Sequence, residues 1–293
     1  MNNKLISAIS KNKEVRLFMI DSTEMVEAAR KTYNISPVSI AALGRTITAG
    51  SLIGRTLKNS NDQLTLQIKG SGSIKTIIAV AKPNGEVKGY ISNPHVETRI
   101  NEKGKLDVGG AVGKDGDLYL IRDYGLKEPY IGHSKLVSGE IAEDLASYFM
   151  YSEQQPTVFS LGVFVNGEGV VTSAGGLLIQ PLPNASNETL VQLEEAMVSL
   201  PAISSLIKDE SDLTLEALVK KYFSNLEFKI TDEIETGLYC DCSTERMKDA
   251  LVSLGKKELE AMIEEDDGAE IHCHFCNTNY KFDADELREI IKN

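Results

Sequence analysis

Cys240-Asp241-Cys242 and Cys273-His274-Phe275-Cys276 are the two segments around which this sequence is organised. Thirty residues separate them, and they contain the only four cysteines of the 293-residue chain. Two tight cysteine pairs across an intervening segment are typical of a four-thiolate zinc site. A tetrahedral ion with Zn–S bonds of about 2.3 Å needs its sulfurs roughly 3.8 Å apart. A C-x-x-C turn provides that separation, whereas C-x-C requires the backbone to bend at Asp241, because alternate positions of an extended strand lie about 6–7 Å apart.

We predict one zinc ion per chain, with ligands Cys240, Cys242, Cys273 and Cys276. The thiolate-only set favours zinc, and an iron–sulfur cluster is an alternative. A permanent disulfide framework is another, but it suits a secreted chain and nothing in the sequence indicates secretion. Four unrelated buried cysteines are the remaining alternative. We expect the imidazoles of His272 and His274 to lie outside the ligand set, because four thiolates already complete it.

The composition is ordinary for a globular protein, with 42% hydrophobic and 25% charged residues. No apolar run approaches the roughly 18 residues that span a membrane. The first ten residues lack the apolar core of a signal peptide. We therefore expect a cytoplasmic location without membrane contact, where a reducing environment keeps thiols available for a metal.

The charge distribution bears on possible partners. The chain has a net charge of −12, and the segment from Gly237 onward contains 14 acidic and 7 basic residues. Proteins that read nucleic acids usually carry a basic face. We therefore expect no nucleic-acid partner, although this is the commonest role of small zinc domains.

Hydrophobic patterning predicts an α+β fold with an amino-terminal mixed domain at 1–180. Strands such as 14–20 and helices such as 37–58 follow one another there without strict alternation. The glycine-rich stretch 109–113 is predicted to be a loop, because it lacks the Lys-Ser/Thr of a phosphate-binding loop.

A boundary follows at Pro181-Leu182-Pro183-Asn184. Beyond it the pattern predicts only helices, with apolar faces that either complete the core of the first domain or dock as a layer between that domain and the cysteine domain. We interpret 181–236 as a helical linker. The remainder, 237–293, is predicted to be a small zinc-binding domain. It begins with a helix capped by Ser243 and ends with a helix that starts at a capping box of Asp283 and Glu286.

A domain of this size is close to the lower limit for a stable hydrophobic core, and metals often make up the difference. The same thiolates can be oxidised, and a disulfide within each pair would remove the zinc ligands. Helices packed on such a tail would then lose a partner and expose apolar surface. The spacing is thus consistent with a redox switch, and equally with a purely structural zinc site.

At these residues the chain resembles the redox-regulated heat-shock chaperone family, the thirty-three-kilodalton chaperonin. The most specific positions are Cys240-Asp-Cys242-Ser243, Glu245-Arg246, Ala250-Leu251, Leu254-Gly255, His272-Cys273-His-Phe275-Cys276-Asn277, Tyr280 and Phe282. Upstream, the matching positions are Leu43-Gly44-Arg45, Gly89-Tyr90, Asn93-Pro94 and the segment from Tyr148-Phe149 to Pro156-Thr157. The resemblance covers essentially the whole chain, including all four cysteine positions.

The resemblance implies an ATP-independent holdase, inactive when reduced and zinc-bound. Oxidative stress together with unfolding conditions would form the redox disulfides Cys240–Cys242 and Cys273–Cys276 and release zinc. The linker at 181–236 would become disordered, and the active form would dimerise and bind unfolding client proteins. It also implies an α+β domain, a helical linker and a zinc domain, in agreement with the patterning.

Two other functions remain open from the residues alone. One is a thiol-disulfide oxidoreductase that uses Cys273-His-Phe-Cys276, a motif that usually sits at a helix start. The other is a structural zinc ribbon that binds a fixed partner. We predict that the chain is not an enzyme, and we assign no catalytic residue.

Overall fold

The computed structural model describes residues 3–292, except for the side chain of residue 292. The chain divides into two compact units, one ending at Leu238 and one beginning at Tyr239. Each combines strands with helices, so the predicted α+β class is confirmed. Among the described residues, no single helix is long and apolar enough to cross a membrane. Asn187–Ser199 and Ile203–Asp209 reach that length only together, across a 65° bend.

Two five-stranded antiparallel sheets form the framework of the first unit. The first has the order β10-β1-β2-β9-β8, with β1 Lys4–Ile9, β2 Val15–Asp21, β8 Val158–Val165, β9 Val171–Pro181 and β10 Lys229–Glu235. The second has the order β5-β4-β3-β6-β7, with β3 Gln63–Lys69, β4 Thr76–Ala81, β5 Val87–Ile91, β6 Asp117–Asp123 and β7 Tyr130–Lys135. In β3, buried Leu64, Leu66 and Ile68 alternate with more exposed polar residues, which is the period of a strand with one face in the core.

The long helix α2 (Pro37–Gly54) packs against strands of both sheets and is buried along almost its whole length. Proline at its first position suits a helix start, because its fixed φ is helical and no N–H is left unpaired. Small residues allow close approach: a Cβ on Gly44 would lie 2.6 Å from Cγ1 of Val26 in helix α1 (Thr23–Tyr33). Gly44 thus lets α2 pack closely on α1.

Two shorter helices, α3 (Val108–Val112) and α4 (Ile141–Tyr151), complete the large core between these elements. The prediction of a loop at 109–113 is wrong, because α3 covers most of that stretch. The carboxylate of Asp107 accepts a hydrogen bond from the backbone N–H of Gly110 at 2.9 Å and so caps this helix. A capping aspartate compensates for the low helix propensity of glycine.

A second core lies on the opposite face of the first sheet, under helices α5 (Asn187–Ser199), α6 (Ile203–Asp209) and α7 (Leu215–Tyr222) and a 3₁₀ turn at Ser224–Leu226. Strands β1, β2 and β9 supply the other side of this core. The prediction that 181–236 contains only helices is wrong at its end, where β10 pairs with β1. Because the helices belong to the first compact unit, the three-part division at 180 and 236 stays a prediction.

The second unit is built from α8 (Thr244–Leu254), α9 (Lys256–Asp266), β11 (Gly268–His272), β12 (Asn279–Asp283) and α10 (Ala284–Lys292). Leu251, Leu259, Phe282 and Leu287 form its buried core. The predicted capping box is confirmed. Glu286 N–H donates to the Asp283 carboxylate at 2.8 Å, and Asp283 N–H donates to the Glu286 carboxylate at 3.1 Å.

Candidate metal centre

The four cysteine sulfurs lie in one cluster within the second unit. The Sγ–Sγ distances are 3.2 Å for Cys240–Cys242, 3.7 Å for Cys240–Cys273 and 3.3 Å for Cys242–Cys276, and all four atoms lie within 4.8 Å of one another. These separations are near the roughly 3.8 Å of a tetrahedral thiolate site. In the part of the chain that the structure describes, no other group of three or more His, Cys, Asp or Glu residues could hold an ion in this way. The donor set and its spacing therefore fit a metal such as zinc.

The first pair is positioned by the start of α8. Ser243 caps this helix, since its hydroxyl accepts a hydrogen bond from Arg246 N–H at 3.2 Å, as predicted. The Arg246 guanidinium reaches back to Asp241, donates to its carbonyl at 2.9 Å and pairs with its carboxylate. Arg246 thus holds Asp241, the residue between the two cysteines. The predicted bend at Asp241 agrees with the short distance between the Cys240 and Cys242 sulfurs, since alternate positions of an extended strand lie about 6–7 Å apart.

The second pair occupies the turn between β11 and β12. Cys273 N–H donates to the Thr278 carbonyl at 2.9 Å, and Asn277 N–H donates to the Cys273 carbonyl at 2.8 Å. Asn277 has φ 61°, a left-handed conformation that asparagine adopts more readily than most side chains. The hairpin therefore holds Cys273 and Cys276 at the two sides of one tight turn, and Cys273 is buried.

Burial raises the pKa of the Cys240 and Cys273 thiols. Burial acts in the same direction on Cys276, but hydrogen bonds with Thr278 and Cys242 outweigh it and lower the pKa to about 7. Thiols this close share protons and titrate as a group. A divalent cation would take the place of those protons, because cysteine binds metals as the thiolate.

Tyr280 contacts the sulfur cluster, and this contact was not predicted from the sequence. Its hydroxyl donates to Cys242 Sγ at 3.0 Å, and this hydrogen bond raises the pKa of Tyr280 to about 12. The available signal was the alternation in β12, where Tyr280 and buried Phe282 are two residues apart and share a face.

The histidines beside Cys273 do not join the cluster of ligand atoms. His272 Nε2 lies 2.7 Å from the side-chain oxygen of Asn277, and the ring centres of His272 and His274 are 5.1 Å apart. His272 thus supports the turn that holds the second cysteine pair, in line with the expectation that it lies outside the ligand set.

Comparison with known proteins places this site in a family. A sequence model described as "Hsp33 protein" matches residues 3–283. The chain belongs to the Hsp33 family. The 33 kDa chaperonin of Clostridioides difficile (strain 630) is 46% identical over 292 residues, which cover 100% of this chain and 99% of that relative. The 33 kDa chaperonin of Clostridium botulinum (strain Alaska E43 / Type E3) is 43% identical over 293 residues, with 100% and 99% covered.

A solved structure of the Hsp33 family extends the likeness to the fold. The crystal structure of the 33 kDa chaperonin from Thermotoga maritima has a TM-score of 0.90 and 37% sequence identity, and the match covers 99% of this chain and 98% of that one. The predicted family resemblance is therefore confirmed. These relatives are named chaperonins, which supports a chaperone role, and none of the three names indicates catalysis.

Proposed function

We propose that this chain is a redox-regulated, ATP-independent holdase that binds unfolding proteins and prevents their aggregation under oxidative stress. The observation that carries this proposal is the gathering of all four cysteine sulfurs within 4.8 Å of one another. They lie in a unit whose described hydrophobic core is a cluster of four buried side chains, those of Leu251, Leu259, Phe282 and Leu287. A sensor of this kind needs oxidisable groups whose loss changes the fold around them.

In the reduced form, Cys240, Cys242, Cys273 and Cys276 would hold one Zn²⁺ as thiolates. Bound zinc would supply folding free energy, on the order of 10–16 kcal/mol in small zinc modules at neutral pH. The second unit needs such support because its apolar core is small. The reduced, zinc-bound form is the inactive one.

Oxidation removes the ligands. In each pair, two thiolates lose two electrons and form an S–S bond, and hydrogen peroxide accepts those electrons with two protons to become two water molecules. We assign the disulfides to Cys240–Cys242 and Cys273–Cys276 from the family resemblance. Sulfur proximity alone does not select this pairing, since Cys242 lies as close to Cys276 as to Cys240, at 3.3 and 3.2 Å. Two disulfides leave the chain without thiolates for the metal, and the second unit loses its main stabilisation.

Unfolding of the second unit would act on the helices that precede the cysteines. The chain runs from α7 through β10 directly to Cys240. We propose that unfolding of the second unit lets α5, α6 and α7 leave the first sheet. Release would uncover the second core, including Met19 and Leu177 on the strands and Leu218 and Phe223 on the helical segment. This surface would bind apolar segments of unfolding clients, and two activated chains would dimerise in the cytoplasm.

The test is to count metal and thiols while aggregation is measured. The reduced protein should contain one zinc and four free thiols, and peroxide with mild heating should leave none of either. Only the treated form should suppress aggregation of a denaturing client. Equal activity of the two forms, or an oxidised form without activity, would contradict the proposed function as a redox-gated holdase.

The motif Cys273-His274-Phe275-Cys276 also bears on the oxidoreductase alternative. It occupies a hairpin turn between β11 and β12. A thioredoxin-type C-x-x-C instead owes its reactive thiolate to a helix N-terminus. Turnover of an insulin-like disulfide substrate by the reduced protein would favour the oxidoreductase.

A further inference from the structure

The side chain of Tyr280 connects the two cysteine segments of the second unit. Tyr280 lies on β12, after the second cysteine pair, and its hydroxyl donates to Sγ of Cys242, which belongs to the first pair and lies 38 positions earlier. The ring of Tyr280 packs against the apolar core of this unit. This packing fixes the direction of the hydroxyl, so the hydrogen bond of 3.0 Å is built into the fold of the hairpin.

The charge of the site gives this hydroxyl a role. Four thiolates around one Zn²⁺ leave a net charge of about −2, and the segment from Gly237 onward contains 14 acidic residues against 7 basic ones. A tyrosine hydroxyl is a hydrogen-bond donor at neutral pH. Donation to a charged acceptor is roughly twice as strong as donation to a neutral one. Because a disulfide sulfur carries no charge, the hydrogen bond of Tyr280 favours Cys242 as the thiolate.

A second hydroxyl contacts the other cysteine pair. Thr278 Oγ1 lies 3.2 Å from Sγ of Cys276. Each of the two hydroxyls therefore contacts one sulfur of a different pair. Thr278 acts locally, two positions after its cysteine, whereas Tyr280 reaches the sulfur of the other segment.

We propose that Tyr280 slows the oxidation of the Cys240–Cys242 pair and thereby sets the peroxide concentration at which the switch responds. The inference rests on the proposed redox switch and names a positioning residue that tunes it. A hydrogen bond withdraws electron density from the sulfur of Cys242. A less basic thiolate is a weaker nucleophile, so its attack becomes slower.

Oxidation of the pair takes two nucleophilic steps. One thiolate attacks an oxygen of hydrogen peroxide, the O–O bond breaks, hydroxide leaves and a sulfenic acid remains. The other thiolate attacks the sulfur of that sulfenic acid, the S–S bond forms and a second hydroxide leaves. Cys242 is the nucleophile in one of the two steps. The proposal places the slow step at Cys242, because its sulfur accepts the hydrogen bond of Tyr280.

The test compares Tyr280→Phe with the parent in the full-length, reduced, zinc-loaded protein. After a short exposure to peroxide and alkylation of the remaining thiols, mass spectrometry measures the initial rate of disulfide formation in each pair. Tyr280→Phe keeps the ring and removes the hydroxyl. The Cys240–Cys242 disulfide should form about threefold faster, because a tenfold rise in thiolate basicity raises nucleophilicity by about that factor. The Cys273–Cys276 disulfide should form at nearly the parent rate.

Thr278→Val is the matched variant, because it removes the other hydroxyl at an exposed position and nearly preserves the shape of the side chain. It should accelerate the Cys273–Cys276 disulfide and leave the Cys240–Cys242 rate unchanged. General loosening of the hairpin would instead accelerate both pairs in both variants. Tyr151→Phe removes a hydroxyl from a side chain that is 80% exposed in the first unit, and it should change neither rate.

Cobalt in place of zinc reports the hydrogen bond without any oxidation. The Co²⁺-loaded Tyr280→Phe protein should show sulfur-to-cobalt charge-transfer bands at lower energy than the parent, because Cys242 then gives up electron density more readily. The variant should also bind zinc about tenfold more weakly in competition with a chelator, as is common when the hydrogen-bond partner of a ligand is removed. Unshifted bands, an unchanged Cys240–Cys242 rate or equal acceleration of both pairs would overturn the role of Tyr280.

These outcomes are separable from the proposed function, since none of the measurements uses a client protein. An oxidised protein without holdase activity would contradict the proposed function, while faster Cys240–Cys242 oxidation and shifted cobalt bands in Tyr280→Phe would still support the role of Tyr280. A working holdase whose Tyr280→Phe variant oxidises at the parent rate would overturn only the role of Tyr280.

Discussion

The two units of this chain reach a stable fold by different means. The first buries large apolar side chains on both faces of its first sheet, with α2 enclosed on one side and α5 to α7 on the other. Among its described residues, the second has a small core of Leu251, Leu259, Phe282 and Leu287 and a cluster of four sulfurs. Hydrophobic burial rises with domain size, so the larger unit has the greater hydrophobic stabilisation, while the smaller one is of a size that metals often stabilise. All four thiols of the chain therefore lie in the unit with the smaller apolar core.

Removal of the metal should have the largest effect on the difference in stability between the two units. Chelation of zinc under reducing conditions removes on the order of 10–16 kcal/mol of binding free energy, which is more than a small core supplies. We expect amides of 239–292 to lose protection in hydrogen exchange, while those of β3 and β6 keep theirs. Cys273→Ser should act in the same way without a chelator, because three thiolates remain.

Ser253→Ala is a suitable control for Cys273→Ser, since Ser253 is exposed and its hydroxyl bonds only the carbonyl of Asp249 in the same helix, at 2.9 Å. This change should leave zinc content and exchange unaltered. Persistence of slow exchange in a metal-free second unit would show that its apolar core suffices.

The cysteine spacing predicted the sulfur cluster because ligand chemistry restricts C-x-C and C-x-x-C to few geometries. The caps at Ser243 and Asp283 were equally readable, since a cap depends on a few neighbouring residues. Strand β10 was not, because Lys229–Glu235 contains four charged residues, and its two isoleucines, Ile230 and Ile234, pack against different cores on opposite faces of the sheet. Its pairing with β1 is a contact across more than 200 residues, which local patterning does not encode. The Tyr280–Cys242 hydrogen bond was hidden for the same reason.

A substitution in the second core should show how much apolar packing under the helical segment stabilises the first unit. Leu218 on α7 is 1% exposed within the second core. Leu218→Ala should cost about 2–5 kcal/mol, the usual range for removing a buried leucine side chain. Urea denaturation would measure the loss, and with peroxide present the variant should suppress client aggregation at a lower temperature than the parent. Val191→Ala, at an exposed position of α5, should stay within about 0.5 kcal/mol of the parent.

A smaller effect is expected at the cap beside the cysteines. Ser243→Ala removes the hydrogen bond to Arg246 N–H and should cost about 1 kcal/mol. Because folding and metal binding are coupled in this unit, the loss should appear as about fivefold weaker zinc binding in competition with a chelator. The first unit should melt unchanged, and weaker binding after Ser253→Ala as well would point to a general effect of the helix.

The smallest effect concerns the attachment of α5 and depends on pH. Glu14, in the turn between β1 and β2, accepts hydrogen bonds from Thr189 Oγ1 at 2.5 Å, Ser186 N–H at 3.0 Å and Ser186 Oγ at 2.8 Å. These bonds lower the pKa of Glu14, so the charged carboxylate favours the attached helix. The contribution is complete above the unfolded pKa of about 4.3 and is lost as the pH falls through the lower folded value.

Glu14→Gln should therefore loosen α5 at neutral pH and flatten the acid dependence of its release. Proteolysis of the helical segment from pH 7 to pH 3 would measure both effects. The Glu210 carboxylate, whose pKa is lowered by Lys221 and Tyr222, is present in parent and variant, so the difference between the two curves isolates Glu14. Parallel curves would mean that the charge on Glu14 does not help to hold α5. The first unit would then lack a titrating contact at α5, and chemical sensitivity would belong to the cysteine unit only.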